Sequence, residues 1–427
     1  MPEGVIFCQS IVCADDCRVR EEEQHQQKDH GMSTTPELPL SGIRVLECTH
    51  AVMGPTAGLI LGDCGAEVIH IESPQGDPTR ILKGFGTGFF PFYSRNKKSL
   101  AIDLKSDEGK AIFSKLVPTA DILVENFGPG TMDRLGYGYE AMRALNQRLI
   151  YISLKGFLSG PYEQRQALDE VVQMMGGLAY MTGPPGKPMR AGTSIIDIGG
   201  GMFGVIGVLL ALYERERTGT GQFIKASLFE TAAFCVGQHM AYSALVEGTI
   251  PPMPARLSPW SIYRSFETKD GELVFVAITS DRQWQTFCQA FECSDWAADP
   301  RLETNQGRID ERAWLLPAVE AMLKGCTKQE IIQRCEAIRI PFAPVARPDE
   351  LFDDPQLNQS APRGLVPTTL PDGTRTRLPR LPLEMGDYDF GLRRDPPALG
   401  ADTDALLQEI GYSTDDINRL KEAGKLA

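Results

Sequence analysis

The chain has 427 residues, long enough for two domains and a sizeable core. Hydrophobic residues at 42% and charged residues at 23% exclude global disorder, collagen and coiled coil. A formal charge of -13 without a long basic run argues against nucleic acid and anionic membranes as partners.

Residues 1–34 carry Glu21-Glu22-Glu23 and several cysteines but no periodic apolar pattern, and they lack the basic lead of a signal peptide, so they read as a disordered N-terminal extension. Cys8, Cys13, Cys17 and His25 could hold a metal there, yet free cysteines in a tail are commoner. The ten cysteines are scattered with no Cys-x-x-Cys pair, which reads as reduced thiols of a cytoplasmic protein and predicts no metal site.

From Ser41 to Phe157 strands and helices alternate. Strands are expected at 45–48, 68–71, 99–104, 122–124 and 149–154. A helix begins near Pro55, another follows the Ser106 cap with acidic residues in its first turn, and a third covers 139–145. This spacing means βαβ units and a mostly parallel sheet, an α/β fold whose ligands bind at strand C-terminal ends. The strongly apolar run 202–213 is too short to span a bilayer and reads as part of a buried helix ended at Thr218-Gly-Thr-Gly. Residues 223–235 suggest a strand running into a helix. Beyond Pro251 the texture changes to a smaller α+β domain, with a strand at 273–277, helices near 282–291 and 310–324, and another strand from Ile340. The stretch 402–423 reads as helical with a break near Gly411.

The most informative segment is Thr193-Ser-Ile-Ile-Asp-Ile-Gly-Gly-Gly-Met-Phe-Gly, a strand-like run with Asp197 near its end and glycines opening a long helix. Gly199, Gly201 and Gly204 match G-x-G-x-x-G, but Asp197 would repel a pyrophosphate and no acidic residue follows at the dinucleotide spacing. Locally, Asp197 reads first as a helix cap. Chemically it could be a nucleophile, with small neighbours admitting an electrophile and N–H groups of Gly199 and Gly200 meeting an oxyanion. A second cluster, Arg95-Asn-Lys-Lys, Lys105 and the glycine-rich turn before Arg134, suits a phosphate-bearing ligand or is a solvated basic loop. Outside the tail only His50, His70 and His239 remain, and no Gly-x-Ser-x-Gly elbow exists, so a serine triad is hard to assemble.

In order and spacing, the blocks LSGIRVLECTHAVMGPTAGLILGDCGAEVIHIE, NKKSLAIDLKSDEGK, ADILVENFGPGTMDRLG, DIGGGMFGVIGVLLALYERERTGTGQ, IPFAPV and PALGADTDALLQEIGYS resemble the class III CoA-transferases, which include formyl-CoA:oxalate and carnitine CoA-transferases. The resemblance covers about Leu40 to Leu426. It implies a Rossmann-like large domain (35–228 and 340–427), a linker helix and small α+β domain (229–339), and an interlocked homodimer. It also implies that Asp197 is the nucleophile, reversing the local preference for a cap. Glu170 corresponds to the family's acidic residue, with Asp169 directly before it. His50 would lie beside the thioester. CoA contacts would fall on Ala51, Val52, Met53, Asn96, Lys97, Lys98, Leu104, Lys105, Asn126, Phe127 and Arg134.

The expected activity is transfer of CoA from an acyl-CoA, succinyl-CoA among the candidates, to a carboxylic or dicarboxylic acid. It would run through an aspartyl anhydride and an aspartyl-CoA thioester, with CoA thioesters as substrates and no permanently bound cofactor. Val52 stands where formyl-CoA enzymes carry glutamine, and the gating glycine loop is replaced by Ser258-Pro-Trp-Ser-Ile-Tyr, so a bulkier acid than oxalate is expected. Trp260, Tyr263 and Arg264 of the small domain would close over the site, and Arg190 and Arg256 are candidate carboxylate ligands. Alternatives are an acyl-CoA racemase of the same fold, which lacks a histidine in its expected segment, a nicotinamide-dinucleotide oxidoreductase, and a non-catalytic CoA-binding protein.

Overall fold

The computed structural model describes residues 37–256, 258–359 and 364–427, so the extension expected over 1–34 lies outside the described residues. Six strands form the main sheet: β1 Arg44–Cys48, β2 Glu67–Glu72, β3 Lys97–Ala101, β4 Ile122–Glu125, β5 Ile150–Lys155 and β6 Phe223–Ser227. All pair in parallel in the order β3-β2-β1-β4-β5-β6. Side chains alternate across the pleat, so neighbouring residues feed two cores. Leu46, Ile69 and Leu123 pack on one face with Phe113 and Leu116, while Val45, Val68 and Ile122 pack on the other with Leu61, Val205 and Val208.

Between these strands run α1 Met53–Asp63, α2 Asp107–Leu116, α3 Tyr139–Leu145, α4 Asp169–Met175, α5 Leu178–Thr182, α6 Ile195–Thr218 and α7 Leu228–Cys235. Ser106 caps α2 as expected, accepting the Gly109 N–H at 3.0 Å. Two expectations need correction. The third strand begins at Lys97 and ends at Ala101, because Ile102 and Asp103 turn aside to meet Leu426 and Lys425. The strand-like run at 193–197 is helical from Ile195 onward, since Asp169 on α4 supplies the acceptor that the first N–H groups need.

Helix α6 is also longer than its most apolar run suggested. At 24 residues, with mean hydropathy 2.2 over its best window, it is long and apolar enough to cross a membrane by length and composition alone. One side of it lies against α1 and the main sheet through Gly200, Gly201, Gly204 and Val208, while Met202, Ile206, Leu210 and Tyr213 are exposed.

The small domain is an antiparallel sheet of β7 Ile262–Glu267, β8 Leu273–Ile278 and β9 Phe342–Pro344, backed by α8 Asp281–Ala290, α9 Arg312–Leu323 and α10 Lys328–Ile338. Because Phe342–Pro344 pairs with β8, the chain is still in the small sheet at 340, where a return to the large domain was expected. A hairpin of β10 Leu365–Thr369 and β11 Arg375–Pro379 follows, then α11 Thr403–Glu409 and α12 Thr414–Glu422. This terminus covers the edge of β3: Asp402 accepts the Ser99 N–H at 2.9 Å and Thr403 that of Ala101 at 3.1 Å.

Candidate active site

The strand order reverses at β1, whose neighbours are β2 on one side and β4 on the other, so a crevice opens beyond the C-terminal ends of β1 and β4. His50 follows β1 and Asn126 follows β4. Asn126 locks them together, its Oδ1 accepting the His50 N–H at 3.0 Å and its Nδ2 donating to the His50 carbonyl at 2.8 Å. Phe127 lies with its ring 5.6 Å from the imidazole. Ala51 takes a left-handed φ of 63° to swing the chain from strand into α1, where Val52 and Met53 are buried. Burial lowers the His50 pKa, Asp77 opposes the shift and Lys155 adds to it.

Lys105 and Leu104 lie beyond β3 at this same edge, the Leu104 carbonyl accepting the Tyr137 hydroxyl at 2.7 Å. Arg134 braces the glycine turn after β4, donating to Thr131 Oγ1 at 2.8 Å. Lys155, at the end of β5, was missed by the sequence analysis. Its Nζ donates to Glu125 at 2.7 Å and to the Phe127 carbonyl at 2.6 Å. The signal was available in a lysine closing an apolar strand just before Gly156.

Asn96, Lys97 and Lys98 sit elsewhere. Lys97 and Lys98 begin β3 and Asn96 directly precedes it, at the opposite edge of a parallel sheet, so their expected place beside the other expected ligand residues is corrected. Lys97 is buried and reaches beneath α1 to Glu47 at 2.7 Å and the Pro55 carbonyl at 3.1 Å. Glu47 is shared with His70, 2.9 Å away. Burial opposes charge on His70, but the nearby Asp77 carboxylate, 3.5 Å away, and the hydrogen bond to Glu47 outweigh it and push its pKa up to about 9. Lys98 is paired with Glu67, and Asn96 donates to Asp63 at 2.8 Å while accepting backbone N–H groups of Arg393 and Arg394. These three hold the fold together.

Asp197 occupies the first turn of α6. Burial pushes its pKa up to about 7, the Asp169 carboxylate adds to the rise, and Arg190 offsets part of it. The acid that faces Asp197 is Asp169, the residue directly before the expected Glu170. Asp169 is buried, and its Oδ2 accepts the N–H groups of Ile196 at 2.9 Å and Asp197 at 3.1 Å. Glu170 points outward, with its side chain 59% exposed. Gln173 fastens the arrangement, donating to Asp169 at 2.5 Å and accepting the Ala191 N–H at 2.8 Å.

The glycines of α6 also have a different use from the one expected. Gly199 and Gly200 lie inside the helix, where their N–H groups turn to the carbonyls four residues back and are not free for an oxyanion. What they provide is close approach. A Cβ on Gly200 would stand 2.5 Å from Met53 Cε, and one on Gly201 2.7 Å from the Met53 carbonyl oxygen. The start of α1, which follows the His50 turn, is thereby held against the first turns of α6. Just before α6, and not lined by Asp197 itself, a cavity of about 400 Å³ opens between Phe85, Phe89 and Tyr93 on one side and Arg190 to Ser194 on the other.

A parallel sheet with its switch-point crevice, and a carboxylate of raised pKa near an aromatic-walled cavity, define an α/β protein with an enzyme-like site. Residues 40–403 match CoA-transferase family III, and the chain belongs to that family. It is 34% identical to the succinate–glutarate CoA-transferase of Agrobacterium fabrum over 87% of this chain and 96% of that one. It is 30% identical to the beta subunit of the succinyl-CoA–L-malate CoA-transferase of Chloroflexus aurantiacus, over 91% of this chain and 98% of the relative. The crystal structure of a CAIB/BAIF family protein from Brucella suis superposes with a TM-score of 0.79 at 30% identity, covering 88% of this chain and all of that one. The protein is a CoA-transferase, acting between an acyl-CoA and an acid.

Proposed function

We propose that the enzyme moves CoA from succinyl-CoA or a related acyl-CoA to a carboxylic acid, with dicarboxylic acids the favoured class, through a covalent intermediate on Asp197. The observation that carries this reading is the Asp197 carboxylate itself. It is half-buried on the first turn of a helix, raised in pKa to about 7, and near a cavity large enough for an acyl group. Donors or acceptors with two carboxylates are named in the relatives from Agrobacterium fabrum and Chloroflexus aurantiacus.

In the donor half-reaction Asp197 attacks the thioester carbonyl, the C–S bond breaks, and CoA leaves as thiolate, leaving an aspartyl acyl anhydride. The thiolate then attacks the Asp197 carbonyl and expels the donor acid, giving an aspartyl-CoA thioester. The acceptor carboxylate attacks that carbonyl and releases the thiolate again. Attack of the thiolate on the acceptor's own carbonyl yields the new CoA ester and restores Asp197. A weakly solvated carboxylate suits the first attack, and the positive end of α6 favours the charge it must carry. His50, Ala51 to Met53, Leu104, Lys105, Asn126, Phe127, Arg134 and Lys155 would hold CoA along the sheet's C-terminal edge. Trp260, Tyr263 and Arg264 would close over the reacting groups. The exposed apolar residues Met202, Phe203, Ile206, Leu210 and Tyr213 of α6 support a homodimer in which a second copy covers this face. The chain is assigned to the cytoplasm on its reduced thiols.

Incubation with a panel of acyl-CoAs and mono- and dicarboxylic acids, followed by mass spectrometry of the CoA esters formed, tests the reading. A new CoA ester that depends on both substrates is expected; α-proton exchange without an acceptor would instead indicate a racemase.

A further inference from the structure

The small domain contains a cavity of about 600 Å³, within the size range of small-molecule sites, whose lining includes the Trp260, Tyr263 and Arg264 proposed above to close over the reacting groups. Three guanidinium groups line it, those of Arg256, Arg264 and Arg312, and no aspartate or glutamate is among its described lining residues. In a chain with a formal charge of -13 such a concentration of unbalanced positive charge is unusual. Most arginines elsewhere in the described residues face a carboxylate. Here Arg256 donates to the Met253 carbonyl at 2.7 Å and Arg312 to the carbonyls of Ser258 and Trp260, while Arg264 rests over the ring of Phe266. Each keeps further N–H groups for a ligand. Burial lowers the pKa of Arg312 with no neighbouring anion to offset it.

The walls between these groups are aromatic. Tyr263 packs against Trp260 with ring centroids 4.7 Å apart and against Phe275 at 4.9 Å. Alternating guanidinium forks and apolar faces fit a carbon chain carrying a carboxylate at more than one end. A smaller cavity of about 350 Å³ shares Arg256, Met253 and Pro254, and is walled by Leu178 and Met181 of α5 and by Cys235 at the end of α7. The small-domain cavity therefore continues toward the helix that follows the Asp169-bearing α4.

We propose that this arginine-lined cavity binds a free di- or tricarboxylic acid, the acceptor class of the transfer reaction. The assignment of the ligand as acceptor rests on the transferase reading; the binding site itself does not. Oxyanion chemistry is shared with the phosphates of CoA, so phosphate and CoA are titrated beside the diacids.

The test is titration calorimetry of the full chain with glutarate, succinate, butyrate, inorganic phosphate and CoA, each alone. The wild type is expected to bind glutarate or succinate at least about tenfold more tightly than butyrate. Arg264→Met and Arg256→Met should each weaken diacid binding about tenfold. Arg264→Lys should recover part of the loss. Melting temperatures within a degree or two of wild type, about the spread of a neutral surface change, would certify the folds. Variants that bind diacids as the wild type does overturn the proposal, as does a loss confined to CoA or phosphate. The two readings fail separately. A protein that binds diacids yet transfers no CoA keeps the site and loses the transferase mechanism. One that transfers CoA with an unaltered KM for the acid in both variants keeps the mechanism and loses the site.

Discussion

Asp169 Oδ2 accepts the backbone N–H of Asp197 at 3.1 Å, so the carboxylate on α4 caps the helix that presents the second carboxylate. The same contact ties together two effects that are usually separate. It satisfies orphan donors at the start of α6, and it places a negative charge beside Asp197 that helps lift its pKa to about 7.

Replacing Asp197 by Asn should remove CoA transfer by about a thousandfold or more, because no other group can form the anhydride. Hydroxylamine trapping during turnover should modify Asp197 in the wild type. Modification of Glu170 or Asp169 instead would relocate the nucleophile.

The pH profile carries a sign that can be worked out. Free Asp197 ionises near pH 7, so kcat/KM for the acyl-CoA should fall below that value. Asp169→Asn removes a like charge and should move this acid limb down, by up to about one pH unit, whereas Arg190→Met removes a cation and should move it up. Stability follows the same group. The folded pKa lies above the unfolded one, so the folded state binds the extra proton between them. Wild-type melting temperature should therefore decline relative to Asp197→Asn as pH rises from about 4 to about 7. Parallel pH dependence in the two proteins would refute the raised pKa.

Gly201→Ala should destabilise the protein by about 1–3 kcal/mol, since the new methyl would lie 2.7 Å from the Met53 carbonyl oxygen and 2.9 Å from Thr56 Cβ. Gly199→Ala meets only a Thr231 methyl at 3.0 Å and should cost less. Both variants keep their backbone N–H groups. A large loss of kcat in a stable Gly199→Ala protein would return these glycines to a chemical role.

Two lysines expected to differ in their effect on CoA provide a further check. Lys155→Ala should raise KM for the acyl-CoA about tenfold and also lower stability, because it leaves the buried Glu125 carboxylate without its partner at 2.7 Å. Lys97→Met strands the buried carboxylate of Glu47 and should cost about 3–5 kcal/mol of stability, leaving CoA affinity in the surviving folded protein unchanged. Urea unfolding alongside CoA titration distinguishes them.

Much of this was legible in the residues. The alternation of apolar runs with capped helices predicted the parallel sheet, and the Ser106 cap lies at its predicted residue. Resemblance supplied Asp197, His50 and Asn126, and the structure brings the last two together through paired hydrogen bonds at the switch point. What the residues did not show has a common origin. Asp169 and Glu170 are adjacent on a helix, where one residue is a turn of about 100°, so helical phase decides which carboxylate is buried. Asn96-Lys97-Lys98 looks like a basic loop as a string, yet Lys97 is neutralised by Glu47, fifty positions earlier in the chain.

Sequence alone determined the order of strands and helices, because periodicity and capping act over a few residues, and its ordered motifs determined the family. Tertiary structure decided which acid faces Asp197 and which basic residues are paired with buried carboxylates. It also decided that the glycines of α6 serve close packing against Met53. Those outcomes depend on contacts between segments far apart in the chain, where burial and counter-charges are set by what packs against a side chain and not by what precedes it.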